Sequence, residues 1–361
     1  MPSTTDTTND ILSRLRFPLA VSVVFIHSYG SPLPAGTVVQ AGTGIWYHEA
    51  LRQALSHALP AFAVPMFFLI SGYFFFLTMP RWDWRRYGGK LRRRVGTLLL
   101  PYIVWNILYF LHCSWPVLQP ALTGHGSWSA LWMRWQQLGG WHLLWDSHKF
   151  QSGATGPYLA PLWFLRDLIV LDLAAPLLYW CIRRLRWYFA AIVSVLAIGH
   201  CWIPLHGFSG WSTLWFVLGA VFAIEGLSIR RILRPYRLPA AVAACAMGLV
   251  VVGLTLEGGM PKPWVRSLYT LPAMATLFNL CDWLMRRGFA RERKFLARST
   301  MFVYLSHIFF LKYVMRLVHG LLPHGSLLAD TLAYLLVPLL TVAVCVAVCN
   351  LWHLAKSRLK C

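Results

Sequence analysis

Arg16 and His27 stand eleven residues apart in the first long apolar run, Arg14-Leu-Arg-Phe-Pro-Leu-Ala-Val-Ser-Val-Val-Phe-Ile-His27. At about 100° per residue both fall on one helix face, and the rise separates them by roughly 16 Å, about half a hydrocarbon core. With Arg16 at one surface, the same stripe carries His27 deep into a bilayer. An imidazole there can exchange a proton near neutral pH or carry a group covalently. An ionisable group at such depth marks a candidate functional site. The plainer reading makes Arg16 an interfacial anchor and His27 a packing histidine, and spacing alone leaves both open.

Four more clusters offer chemistry. Val64-Pro-Met-Phe-Phe-Leu-Ile-Ser-Gly-Tyr-Phe-Phe-Phe76 contains a Ser71-Gly72 step without bulk, suited to close helix approach or to a ligand against the backbone. Pro161-Leu-Trp-Phe-Leu-Arg-Asp-Leu168 places Arg166 within an apolar run, where it needs an anionic or carbonyl partner. Arg166 and Asp167 are adjacent and are expected to point apart, while Trp163 sits one turn before Arg166 for cation–π support. Asp172 follows a turn deeper, and a structural ion-pair network and a catalytic role both remain open. Ser299-Thr-Met-Phe-Val-Tyr-Leu-Ser-His307 sets Tyr304 and His307 on one face, at a depth expected to match His27. Lys312 and Arg316 would approach the outer mouth of a polar cavity shared by these groups. Finally, Lys90-Leu-Arg-Arg-Arg94 precedes Leu98-Leu-Leu-Pro-Tyr-Ile-Val-Trp105. Such a run suits phosphate recognition, or simply marks the basic side of a membrane.

The elements that must hold these groups are membrane helices. The 361 residues are 58% hydrophobic and only 12% charged, about half the charge of a soluble domain. Apolar runs reach spanning length and short alternating segments are missing, which predicts an all-α, polytopic integral membrane protein of about ten transmembrane helices. The expected spans are 12–30, 58–79, 95–118, 159–181, 187–205, 211–228, 238–256, 264–285, 299–320 and 329–353. Met1 to Asp10 lacks a basic start and a small-residue cleavage site, so the first helix is expected to be kept.

The net charge of +21 is a matter of topology. Most of the 33 Lys and Arg fall in alternate segments, such as Arg81 to Arg94, Arg183 to Arg186, Arg230 to Arg237 and Arg286 to Arg298. That asymmetry puts both termini in the cytoplasm and implies contact with anionic membrane lipids, not nucleic acid. The intervening loops at 31–57 and 119–158 are then extracytoplasmic. The second holds Trp128, Trp132, Trp135, Trp141 and Trp145, suited to an interfacial belt or to stacking on sugars. The eight cysteines show no CxxC pair, so neither a disulfide framework nor a metal site is expected.

In this order the motifs resemble the acyltransferase-3 family of integral membrane O-acyltransferases. The features are Arg16-x10-His27, Pro65…Ser71-Gly72-Tyr73, the arginines before Leu-Pro101-Tyr102, Trp163-Phe-Leu-Arg-Asp167 and Tyr304-Leu-Ser-His307. They cover the chain from about 14 to 310. Family members often carry a further basic residue one turn after an arginine before span three; here Thr97 occupies that place after Arg93. The resemblance implies one membrane acyltransferase domain over 1–361 in the bacterial inner membrane, without an appended soluble domain. It implies transfer of an acyl group, usually acetyl, from cytoplasmic acyl-CoA as co-substrate to a hydroxyl of an envelope or exported carbohydrate. In that scheme His27, Arg16, Arg166, His307 and Tyr304 are catalytic, Arg92, Arg93 and Arg94 bind the donor, and no metal takes part. From another class, a secondary transporter would use the same buried groups as a proton or anion path, though no paired Gly/Pro-broken spans mark one. Dependence on acyl-CoA separates the two.

Overall fold

A computed structural model describes residues 4–29, 42–146, 156–199, 201–203, 205–256, 263–289, 293–323 and 326–358. Parts of both expected extracytoplasmic loops, 31–41 and 147–155, lie outside the described residues. Among the described residues the regular structure is helical and no strand occurs. In chain order the α-helices are α1 (Thr4–His27), α2 (Gly44–Gln53), α3 (Ala63–Leu77), α4 (Trp84–Arg94), α5 (Leu100–Cys113), α6 (Trp115–Leu122), α7 (Trp128–Gln137) and α8 (Trp163–Leu173). They continue with α9 (Ala175–Leu185), α10 (Trp187–Ile198), α11 (Gly210–Ile224), α12 (Ile229–Leu233), α13 (Arg237–Leu256), α14 (Pro263–Arg286), α15 (Lys294–Leu321) and α16 (Leu327–Arg358).

Helix occurs within each of the ten expected ranges, though it fills some only in part: α10 covers Trp187–Ile198 of 187–205. Five helical stretches among the described residues are long and apolar enough to cross a membrane: Gly44–Leu77, Trp84–Cys113, Ile229–Leu256, Lys294–Leu321 and Leu327–Arg358. The segment expected as one span over 159–181 is broken at Ala174, because Pro176 opens α9 without a backbone donor.

Two of the long stretches contain a π turn, at Ala54–Ala58 and Val95–Leu99. In each case a proline explains it. Pro60 and Pro101 lack the N–H that an α-helix would send to Ser56 and Thr97. The preceding amides reach one residue further instead, from Leu59 to the carbonyl of Ala54 and from Leu100 to that of Val95. Such wide turns recur at functional sites.

The chain forms two compact units, one of residues 1–67 with 227–361 and one of 68–226. In the first unit α1 packs against α14, α15, α16 and the 54–62 segment. Ala20 and Val24 of α1, Val303 of α15, and Val342 and Cys345 of α16 form a buried cluster, flanked by Phe17, Phe67 and Phe302. Small and β-branched side chains let these helices approach closely, which matters where lipid tails give no hydrophobic drive. Val24 and Val303 lie one turn before His27 and His307, so this cluster is the apolar floor of the histidine region.

In the second unit the Ser71-Gly72 step serves packing. A Cβ on Gly72 would fall on the backbone carbonyl of Phe216, and one on Gly219 on that of Leu69. Helices α3 and α11 therefore touch backbone to backbone, as small residues permit. Ser209 starts α11 as an N-cap, its hydroxyl accepting from the amide of Ser212 at 3.1 Å.

Candidate active site

His27 is the last residue of α1 and is half-buried; His307 sits midway along α15 and is fully buried. Their ring centroids are 5.2 Å apart, with planes inclined by 39°. Nδ1 of His307 lies 2.8 Å from the carbonyl of Tyr304 and 3.1 Å from that of Val303. A carbonyl oxygen can only accept, so Nδ1 carries the hydrogen and the neutral ring keeps its lone pair on Nε2. That Nε2 is buried without a hydrogen-bond partner among the described residues. An acceptor left bare inside a protein is costly unless something occupies it. Tyr304, also buried, lies 6.3 Å from the His307 ring and edge-on to Phe67 at 6.2 Å.

Arg16 is exposed and sits midway along α1 rather than at its start, because the helix begins twelve residues earlier at Thr4. Lys312 and Arg316 are exposed as well.

Beside the pair lies a polar network that sequence reading did not find. The hydroxyl of Tyr29, two residues after His27, donates to Glu49 and accepts from Gln53 at 2.7 Å. Arg52 pairs with Glu49 at 3.0 Å, donates to the Tyr29 carbonyl and lies 4.2 Å above the Tyr29 ring. The hydroxyl of Ser56 donates to the carbonyl of Phe25 at 2.7 Å and meets the hydroxyl of Tyr334 at 2.8 Å. His48 reaches the hydroxyl of Thr331 at 2.8 Å. The backbone is thus held two residues before and two residues after His27. Glu49, Arg52, Gln53 and Ser56 are all buried, within a stretch whose hydropathy reads as loop. The only sequence signal was the i, i+3 spacing of Glu49 and Arg52.

In the second unit Arg166 is buried, and three of its nitrogens are engaged. Nη1 donates to the Trp145 carbonyl at 2.9 Å, while Nε and Nη2 donate to Oδ1 of Asp167 at 3.2 and 3.1 Å. The expectation that these neighbours point apart is overturned: the long, flexible arginine side chain reaches the carboxylate of its neighbour. The other oxygen of Asp167 accepts from Ser212 at 2.7 Å. The aromatic face near Arg166 is that of Trp145, at 5.6 Å.

Of the arginine run, Arg92 and Arg93 are exposed, and Arg94 turns inward to pair with buried Asp172 at 3.1 Å. Lys90 lies 4.8 Å from the ring centroid of Phe75 and donates to the Phe75 carbonyl. No group of three or more His, Cys, Asp or Glu that could hold a metal occurs among the described residues.

A histidine at the end of the first helix, a second histidine facing it and a following arginine run are joined by a comparison of the whole chain. The acyltransferase-3 family model, described as an acyltransferase domain, matches residues 9–350. The chain belongs to this family. As a member of the acyltransferase-3 family it is a membrane-embedded, all-helical acyltransferase. It is similar to the succinoglycan biosynthesis protein ExoH of Rhizobium meliloti (strain 1021), at 26% identity over 285 residues. That match covers 78% of this chain and 71% of the relative. No solved structure matches the chain.

Proposed function

We propose that this acyltransferase moves an acyl group, acetyl, from cytoplasmic acyl-CoA to a hydroxyl of an exported or envelope carbohydrate. The setting is the bacterial inner membrane, with both termini cytoplasmic. The observation that carries the reading is the His27–His307 pair, with a bare ring nitrogen buried in a chain of acyltransferase family. The name of the similar protein, a succinoglycan biosynthesis protein, favours a glycan as acceptor. The alternation of basic segments favours the orientation.

In this reading His27 removes the proton from the sugar hydroxyl as its oxygen attacks the thioester carbonyl. A C–O bond forms, and the tetrahedral intermediate collapses by breaking the C–S bond. His27 then returns the proton to the departing thiolate. His307 and Tyr304 position the substrates at the imidazole, Nε2 of His307 accepting a hydrogen bond. Arg16 orients the donor. Arg92 and Arg93, with Arg94 behind them, meet the donor's phosphates.

The test is transfer of label from radiolabelled acetyl-CoA by the purified protein in lipid, wild type beside His27→Ala. Label should leave CoA for envelope glycans with wild type alone. A folded His27→Ala protein of near-normal activity would remove the central claim. No transfer by either protein would move the reading to a transporter.

A further inference from the structure

The second unit holds a basic cleft that the reaction scheme does not use. Pro80, Arg81, Trp82, Asp83, Arg86, Arg183 and Ile224 line an open cleft of about 800 Å³, a volume in the range of small-molecule sites. The turn between α3 and α4 forms its floor and the last turn of α9 one wall. The floor is pinned. The hydroxyl of Tyr179 accepts from the Trp82 amide at 3.1 Å and donates to the Pro80 carbonyl at 3.3 Å. The Trp82 ring is wedged against Tyr87 and Tyr179, at 5.1 and 5.3 Å. Arg183 follows Tyr179 by four residues, so it rises from the same helix face as the pin.

The charges of the cleft are prepared for an anion. Asp83 caps α4 by accepting from the amides of Arg85 and Arg86 and holds the Arg86 guanidinium at 3.4 Å. Arg86 also donates to the Thr78 carbonyl at 3.0 Å. Arg81 and Arg183 are exposed and have no hydrogen-bond or ion-pair partner among the described residues. Nε1 of Trp82 is a buried donor without an acceptor. Three guanidinium groups thus line a cleft that holds one carboxylate. A basic segment that serves topology alone needs neither a concavity nor a pinned floor.

We propose that this cleft binds a phosphate-bearing group, and that its occupant is the phosphoadenosine end of the acyl-CoA donor. The assignment of that occupant rests on the acyl-CoA reading above. Arg81 and Arg183 supply charge-assisted hydrogen bonds to the phosphate oxygens, and Arg86, fixed by Asp83, adds a third cation. A phosphate of an anionic lipid headgroup has the same chemistry, and the experiment separates the two sources.

Adenosine 3′,5′-bisphosphate is titrated against the purified protein in neutral detergent, as wild type, Arg81→Gln/Arg183→Gln and Arg184→Gln. Arg184 is exposed and does not line the cleft. The double variant should bind at least about tenfold more weakly, the scale of one lost charge-assisted contact or more. The control should bind as wild type does. In transfer assays the double variant should raise KM for acetyl-CoA and leave KM for acetyl-phosphopantetheine unchanged, since the latter lacks the phosphoadenosine. Equal bisphosphate affinity in all three proteins would overturn the proposal. So would phosphatidylglycerol, retained by wild type and lost by the double variant, together with unaltered bisphosphate binding. If wild type transfers from neither donor, the acyl-CoA reading fails by itself, while the titration still reports on the cleft.

Discussion

The carbonyl of Tyr304 lies 2.8 Å from Nδ1 of His307, and this one contact decides which ring nitrogen is free. With the hydrogen committed to Nδ1, only Nε2 can accept from a substrate or from His27. His307→Gln keeps an acceptor oxygen near the place of Nε2, whereas His307→Ala keeps none. We expect His307→Ala to lower kcat by about 10²-fold or more, the lower range of a lost proton-handling group, and His307→Gln to retain the larger share of activity. Equal loss in both, with intact folding, would mean that Nε2 takes no part.

The Glu49–Arg52 pair is buried, so removing one partner leaves a charge unanswered. Glu49→Gln should cost about 3–5 kcal/mol of stability, read as a lower melting temperature in detergent. A double variant, Glu49→Gln/Arg52→Met, should recover much of that loss. Because the same network ties the backbone on both sides of His27, both variants should also lose turnover at saturating substrate. A double variant as unstable as the sum of its singles would show the two residues to be independent.

Arg92, Arg93 and Arg94 differ in environment despite being consecutive. Arg94→Ala strands Asp172, and the expected result is poor stability that Asp172→Asn partly restores. Arg92→Ala and Arg93→Ala should instead leave stability unchanged and raise KM for the donor. A titration of transfer rate against acetyl-CoA for each variant, beside thermal melts, checks the division.

Gly72 and Gly219 allow α3 and α11 to meet backbone to backbone. Alanine at either position places a methyl group onto a carbonyl of the opposite helix and should abolish the folded protein. Alanine at Gly88 or Gly253, where a Cβ meets nothing within 4 Å, should be neutral or mildly stabilising. Size-exclusion profiles of the four variants in detergent distinguish these outcomes.

Hydropathy made the helical spans legible, because runs such as Leu336 to Val348 have no other use than lipid or protein interior. The histidine pair was legible in part: spacing put His27 and His307 at similar depths, though nothing local shows which helices touch. The remainder was hidden for physical reasons. Glu49, Arg52 and Gln53 read as a polar loop since their apolar surroundings come from residues nearly three hundred positions away, such as Tyr334. Asp172 claims Arg94 from 78 positions along the chain, and a run of like charges gives no hint of which member turns inward. Arg183 read as a topology marker because the Pro80–Asp83 turn that makes its wall a cleft lies a hundred residues earlier.

The π turn at Val95–Leu99 works as a phase adjuster between the arginine run and α5. A π turn holds one residue more than an α turn, and each residue rotates the helix by about 100°. Were the same residues wound as regular α-helix, Arg92, Arg93 and Arg94 would swing around the axis by about that angle relative to α5, parting Arg94 from Asp172. The length of the segment, as much as its composition, therefore sets which arginine turns inward and which two stay exposed. Spacings counted right across Val95–Leu99, from the arginine run into α5, therefore misjudge which residues share a face, whereas the Thr97 hydroxyl still bonds the Arg93 carbonyl at 3.0 Å as an i, i+4 pair does.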